Sequence, residues 1–144
     1  MHRDGTGVLL MAYGTPSTLD DVQPYYTHIR GGRTPAPELV EALRERYRLV
    51  GGSTPLYAIS EATRAALEDR LNEDSEREYR VILGMKHWHP FIEEAVGHMA
   101  DERIRSAVGL VLAPHYSRMS VATYFEYVDA AQKKLGTEIE IDAI

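Results

Sequence analysis

Three short stretches of this 144-residue chain carry side chains that could do chemistry together. "LLMAYGTPS" (Leu9–Ser17) is an apolar run closed by Tyr13, while "KHWH" (Lys86–His89) and "HYSRMS" (His115–Ser120) each follow another apolar run. An ionised tyrosine is a hard oxygen donor that suits ferric iron and is a known haem ligand type. A phenol that only hydrogen-bonds at a sheet edge would look the same in sequence. His87 and His89 are two residues apart, so in an extended segment they face one way and could chelate a divalent metal; a site would need a third ligand, and exposed or capping histidines fit equally well. His115 stands directly after a predicted buried strand, where a histidine bonded to loop backbone is the alternative. His2, His28 and His98 receive no role.

These residues need elements to bring them together, and strand and helix signals alternate along the chain. "GVLLMAY" (Gly7–Tyr13), "YRVILGM" (Tyr79–Met85), "AVGLVLAP" (Ala107–Pro114) and "TEIEIDAI" (Thr137–Ile144) read as strands, the middle two apolar throughout as strands covered on both faces must be. Helical spacing places Leu39, Leu43, Tyr47 and Val50 on one stripe of "PELVEALRERYRLV", with Gly51 as its stop. A second helix is predicted from Glu61 to Asn72 with Ser60 as N-cap. Pro90 opens a third in its first turn, and Ser120 and Gly136 bound a fourth. The earliest helix, Leu19 to about Arg30, contains Pro24, which predicts a kink.

Strands separated by helices predict right-handed crossovers and a three-layer α/β fold of flavodoxin-like type. It comprises a four-stranded parallel sheet ordered 2-1-3-4 with helices on both faces. Ligands of such sheets sit outside the carboxyl ends of the strands, which is where Tyr13, His87 and His115 fall. "GGRTPAP" and "GGSTP" read as loops too short to link domains, so residues 1–144 are expected to form one domain.

Composition narrows the functions. The chain is 44% hydrophobic and 26% charged, and it has no cysteine, hence no disulfide, thiolate nucleophile or thiolate metal site. "MHRDGTG" is too short and polar for a signal peptide and no apolar run approaches about 18 residues, so a cytoplasmic protein without a transmembrane segment is expected. The net charge of −6 argues against a nucleic-acid partner. No GxGxxG, GxxxxGK[ST] or GxSxG pattern is present, which moves nucleotide binding and acyl transfer down the list.

Taken in order, "GVLLMAYGTP", "VQPYYTHIRGGRTP", "ERYRLVGGSTPL", "LGMKHWHPFIEEAV" and "LAPHYSRMSVATY" resemble the N-terminal half of the ferrochelatases, most of all the bacterial coproporphyrin type. The resemblance implies a chelatase half-domain that takes part in inserting ferrous iron into coproporphyrin III to give coproheme, in heme biosynthesis. Iron and porphyrin are then substrates, and no resident cofactor is required. It implies that Tyr13 ligates the product iron from one face and that Arg30, Arg46, Tyr47, Thr54 and Tyr124 contact the porphyrin or its carboxylates. A tetracarboxylate ligand calls for charge-assisted donors, and the planar fork of arginine supplies them. By spacing alone, Arg30 and Arg46 would be solvated helical arginines, and Tyr47 and Tyr124 packing residues. Thr54 stands where the family more often has serine, and Gly31 where relatives can carry a second arginine.

The family's catalytic histidine and glutamate belong to the C-terminal half, so they transfer to no residue here. Glu93, Glu94, Glu126 and Asp129 read as solvated helix faces. Three arrangements follow: half of a longer ferrochelatase completed by a C-terminal domain; a half-size chelatase whose second copy completes the cleft, with His115 as candidate base; or a porphyrin- or coproheme-binding module that inserts no metal. His87 is a further candidate metal contact.

Overall fold

A computed structural model of the chain describes residues 5–113 and 118–144. Four strands, β1 (Thr6–Ala12), β2 (Tyr79–Met85), β3 (Ser106–Val111) and β4 (Glu140–Ala143), form one sheet in the order β2-β1-β3-β4, every neighbouring pair parallel. The predicted order and direction are therefore those observed. β1 is central, with Leu10 in register with Leu83 on one side and Leu110 on the other.

The unbroken apolar run of β1 follows from this position, because successive side chains meet different helix layers. Leu9 and Met11 enter a cluster with Ile92, Val96 and Met99 of α4 (Ile92–Asp101) and Tyr124, Val128 and Ala131 of α5 (Arg118–Leu135). Val8, Leu10 and Ala12 enter another, against Leu67 and Leu71 of α3 (Leu56–Asn72). Leu9, Leu10 and Met11 are wholly buried, each a contribution of roughly 1.5–3 kcal/mol. Two strand glycines let the helices come close. A Cβ on Gly84 would lie 3.1 Å from the Ile92 Cα, and one on Gly109 only 2.7 Å from the Phe125 ring.

Several sequence expectations need correction. α3 starts at Leu56 behind Pro55, so Ser60, 2% exposed, is an interior residue of the helix and not its cap. The predicted helix from Leu19 is divided: a short 3-10 turn (Leu19–Asp21) leads into α1 (Val22–Ile29), where Pro24 is the third residue and its missing N–H falls in the first turn. α5 already includes Arg118, which puts Ser120 inside it, and Phe91 rather than Pro90 precedes α4 as N-cap. β1 stops at Ala12, one residue before Tyr13, and β3 at Val111. β4 begins only at Glu140, because the Gln132 side chain takes up both backbone groups of Ile139, at 2.7 and 2.9 Å, before the chain reaches the sheet.

The predicted stripe of α2 (Pro37–Leu49) is only partly buried. Val40 is its buried residue, Leu39 and Val50 are exposed, and Leu43 and Tyr47 lie between. α2 packs on α1 and the 3-10 turn instead of covering the sheet. Gly51 does end it: at φ +93 it adopts the left-handed conformation that lets the Gly52 N–H reach back to the Tyr47 carbonyl, 2.7 Å.

Candidate functional site

The carboxyl end of β1 is the anchor of the site. Tyr13 follows the strand directly, its backbone carbonyl accepts the His87 N–H at 3.0 Å, and the Lys86 N–H donates to the Ala12 carbonyl at 2.9 Å. The segment after β2 is thus tied to the segment after β1. Gly14, at φ +102, completes the turn; a Cβ there would sit 3.0 Å from the Trp88 backbone nitrogen. α1 closes over this turn through Tyr25, whose hydroxyl donates to the Gly14 carbonyl at 3.3 Å. The glycine loop after α2 docks alongside, with the Thr54 hydroxyl bonded to that of Thr15 at 2.8 Å and the Ser53 hydroxyl to the Pro16 carbonyl at 3.3 Å.

Tyr13 is 44% exposed, against a strand that is wholly buried two residues earlier. Its ring meets His87 edge to face, centroids 4.7 Å apart at 68°. The phenol is pushed above its ordinary pKa by partial burial and then by the Tyr47 and Tyr127 phenols, so it is neutral at pH 7 until a cation displaces the proton. Tyr124 is raised to about 12 by burial and by Tyr13, and Tyr25 is raised mainly by burial and by Tyr47. These mutual effects put Tyr13, Tyr47 and Tyr124, expected to act together, in one electrostatic neighbourhood with Tyr25 and Tyr127.

The arginines differ from their neighbours. Arg44 and Arg48 on α2 are ion-paired to Glu41 and Glu45, and Arg64 and Arg80 are paired to glutamates as well. Arg46 on the same helix and Arg30 at the end of α1 have no acidic partner among the described residues. Neither guanidinium is neutralised by a carboxylate of the described residues, which is equally true of Arg33, Arg77, Arg103 and Arg105. Lys86 lies 5.0 Å over the Tyr124 ring, and its ammonium, its pKa lowered by burial, donates to the Thr123 hydroxyl at 2.6 Å.

The histidines do not behave as their spacing predicts. Residues 86–90 bend instead of continuing the strand, so His87 and His89 part company. His87 is 6% exposed and bonded to His28, Nδ1 to Nδ1, at 3.0 Å; His89 is exposed and bonded to Glu94 at 2.8 Å. The Glu94 carboxylate also accepts the Phe91 N–H, so it caps α4. No three metal-ligating histidine or acidic side chains converge among the described residues. His115 lies outside the described residues. Two open hollows, of about 620 and 430 Å³, flank His28 and Tyr127, and Tyr13 lines neither; its phenol stands on the open surface between strand ends.

Sequence reading gave Tyr25, His28, Lys86 and Tyr127 no role of their own. A signal was present for three of them: Tyr25 and His28 on α1 are three apart, and Tyr127 is three from Tyr124 on α5, so each pair shares a helix face.

A parallel sheet with helices on both faces, whose strand ends present an exposed phenol among further phenols, defines an α/β protein with a candidate site at its strand ends. The chain belongs to the ferrochelatase family, whose model matches residues 5–144. It is 53% identical over 137 residues to the coproporphyrin III ferrochelatase of Geobacillus kaustophilus, covering 94% of this chain and 43% of that protein. It is 45% identical to the coproporphyrin III ferrochelatase of Oceanobacillus iheyensis (97% of this chain, 45% of the relative) and 45% identical to a ferrochelatase of Herpetosiphon aurantiacus (96% and 46%). The chain spans a little under half the length of these relatives.

Proposed function

We propose that this chain forms one wall of the porphyrin cleft of a coproporphyrin III ferrochelatase, which inserts ferrous iron into coproporphyrin III to make coproheme. The observation that carries this reading is the Tyr13 phenol, held at the mouth of a parallel sheet and open to an incoming ligand, in a chain that belongs to the ferrochelatase family. Insertion exchanges two pyrrole N–H protons for Fe²⁺, so the reaction needs a base as well as a platform. This chain's part is the platform. Arg30 and Arg46 pair with propionates, Tyr47, Tyr124 and the Thr54 hydroxyl line the macrocycle, and Tyr13 meets the product iron. The base comes from a C-terminal domain in a longer protein. The relatives' length supports that arrangement over a second copy of this chain or a module that only binds porphyrin. The reading places the protein in the cytoplasm, with iron and porphyrin as substrates and no resident cofactor. No helix among the described residues is long and apolar enough to cross a membrane.

The test is an anaerobic assay of ferrous iron insertion into coproporphyrin III by the 144-residue chain and by a version extended with the C-terminal half of a relative. Activity in the extended version alone is expected. Activity of the short chain as a dimer would establish the two-copy cleft, and porphyrin binding without insertion in either would leave a binding module.

Arg30→Ala or Arg46→Ala is expected to weaken porphyrin binding by roughly 1.5–3 kcal/mol per charged hydrogen bond lost, with little effect on folding because neither side chain has an ion-pair partner to lose among the described residues. Added salt should weaken the wild type more than the variants. Fluorescence quenching at low and high salt measures both effects, and equal affinities would return the two arginines to the solvent.

A further inference from the structure

Behind Tyr13 lies a contact that the proposed chemistry leaves unused. His28 comes from α1 and His87 from the segment after β2, 59 residues apart in sequence, yet their Nδ1 atoms are 3.0 Å apart. That is a hydrogen-bond distance. A neutral imidazole has one donor and one acceptor nitrogen, so the bond forms only when one ring carries its proton on Nδ1 and the other on Nε2. Each ring therefore dictates the tautomer of the other. Burial keeps both rings neutral: it lowers the pKa of His28, and together with Lys86 and then His28 it lowers that of His87 to about 4. Protonating both rings would put two donors face to face and break the bond.

The pair is clamped. The His28 ring stacks on Phe91 with centroids 4.9 Å apart and on Tyr127 at 6.1 Å, and His87 meets Tyr127 edge to face at 6.2 Å. From His87 the packing passes to Tyr13 at 4.7 Å. Three rings thus run from α1, across the loop after β2, to the end of β1. Tyr13 is 44% exposed, and among the described residues the one ring packed against it is that of His87.

We propose that His28 is a positioning residue: its Nδ1 contact fixes the tautomer and plane of His87, and through the His87 edge it sets the direction in which the Tyr13 phenol presents its oxygen. Only the last step, what the oxygen is presented to, rests on the reading of Tyr13 as an iron ligand.

The substitutions that separate a hydrogen bond from simple packing are His28→Phe, which keeps the stacked ring and removes both nitrogens, and His28→Asn, whose amide can place a donor or acceptor where Nδ1 stood. Nitrogen-15 NMR of the imidazoles in the ligand-free chain at neutral pH is expected to show His87 as a single tautomer in the wild type, a tautomer mixture in His28→Phe, and a single tautomer again in His28→Asn. With ferric coproheme bound, the absorption spectrum should shift in His28→Phe and return in His28→Asn, while affinity for metal-free porphyrin stays at the wild-type value. A single His87 tautomer that survives His28→Phe, or a defect that His28→Asn does not repair, overturns the proposal. Failure of the wild-type chain extended with the C-terminal half to bind porphyrin would instead defeat the proposed function, and the ligand-free NMR comparison would still judge the histidine pair.

Discussion

Tyr13→Phe is expected to abolish the tyrosinate-type, high-spin spectrum of bound ferric coproheme while leaving affinity for the metal-free porphyrin nearly unchanged. Phenylalanine keeps the ring that packs 4.7 Å from His87 and removes only the oxygen, so packing is controlled. A phenol ordinarily ionises near pH 10, and here burial, Tyr47 and Tyr127 raise it further. Without metal, therefore, no tyrosinate exists at neutral pH. Ferric iron, a strong local charge, takes the phenolate and reverses that preference, whereas a proton-bearing macrocycle does not. The two ligands separate the roles: the iron-bound complex reads the oxygen and the free porphyrin reads the ring. An unchanged spectrum in Tyr13→Phe would leave Tyr13 as a sheet-edge tyrosine and send the search for the axial ligand to the histidines.

Acid is the second lever. His87 resists protonation down to about 4, whereas the same side chain in the unfolded chain protonates near 6.5. Between those values the unfolded state binds more protons than the folded state, so stability falls as pH falls. For this one group the loss approaches roughly 3 kcal/mol by pH 4, at about 1.4 kcal/mol per pH unit. His28, lowered by burial, acts with the same sign. Glu102 acts elsewhere: its hydrogen bond to Arg80 lowers its pKa from an ordinary 4.5, so its contribution is present above that value and lost only below it. The interval from pH 6.5 to 5 thus isolates the histidines. Urea unfolding across that interval should show a clear decline for the wild type and a shallower one for His87→Asn, which cannot titrate. Parallel declines would mean that the buried imidazole is not what the acid attacks.

The histidine pair also marks how far the sequence can be read. The strands were legible because their information is local. A run such as "VILGM" (Val81–Met85), apolar on both alternating faces, has to be covered on both sides, and helical segments between such runs leave parallel pairing as the economical arrangement. The position of Tyr13 followed, since a residue one step past a parallel strand stands at its carboxyl edge whatever the packing details. The errors concerned element ends and the face a helix buries. Ser60 resembles a cap until α3 is seen to start a turn earlier. The α2 stripe predicted burial on the sheet, but Leu39 and Val50 remain exposed because α2 rests on α1. β4 starts late because one glutamine side chain satisfies the backbone of Ile139 first.

By itself the sequence determined the sheet, its strand order, the edge at which chemistry would gather and the family resemblance that singles out Tyr13, because hydrophobic period, run length and motif order are properties of neighbouring residues. Only the tertiary structure decided which histidine is buried and what it faces. Spacing puts His87 and His89 side by side; the bend at residues 86–90 sends one against His28 and the other to Glu94. The choice depends on where α1 lies over the strand ends, a contact between residues 59 apart that no local pattern encodes. Arg46 is the contrary case: Glu41 and Glu45 stand three residues before Arg44 and Arg48, whereas Leu43 stands three before Arg46, so its lack of a helical ion pair was already written in the spacing.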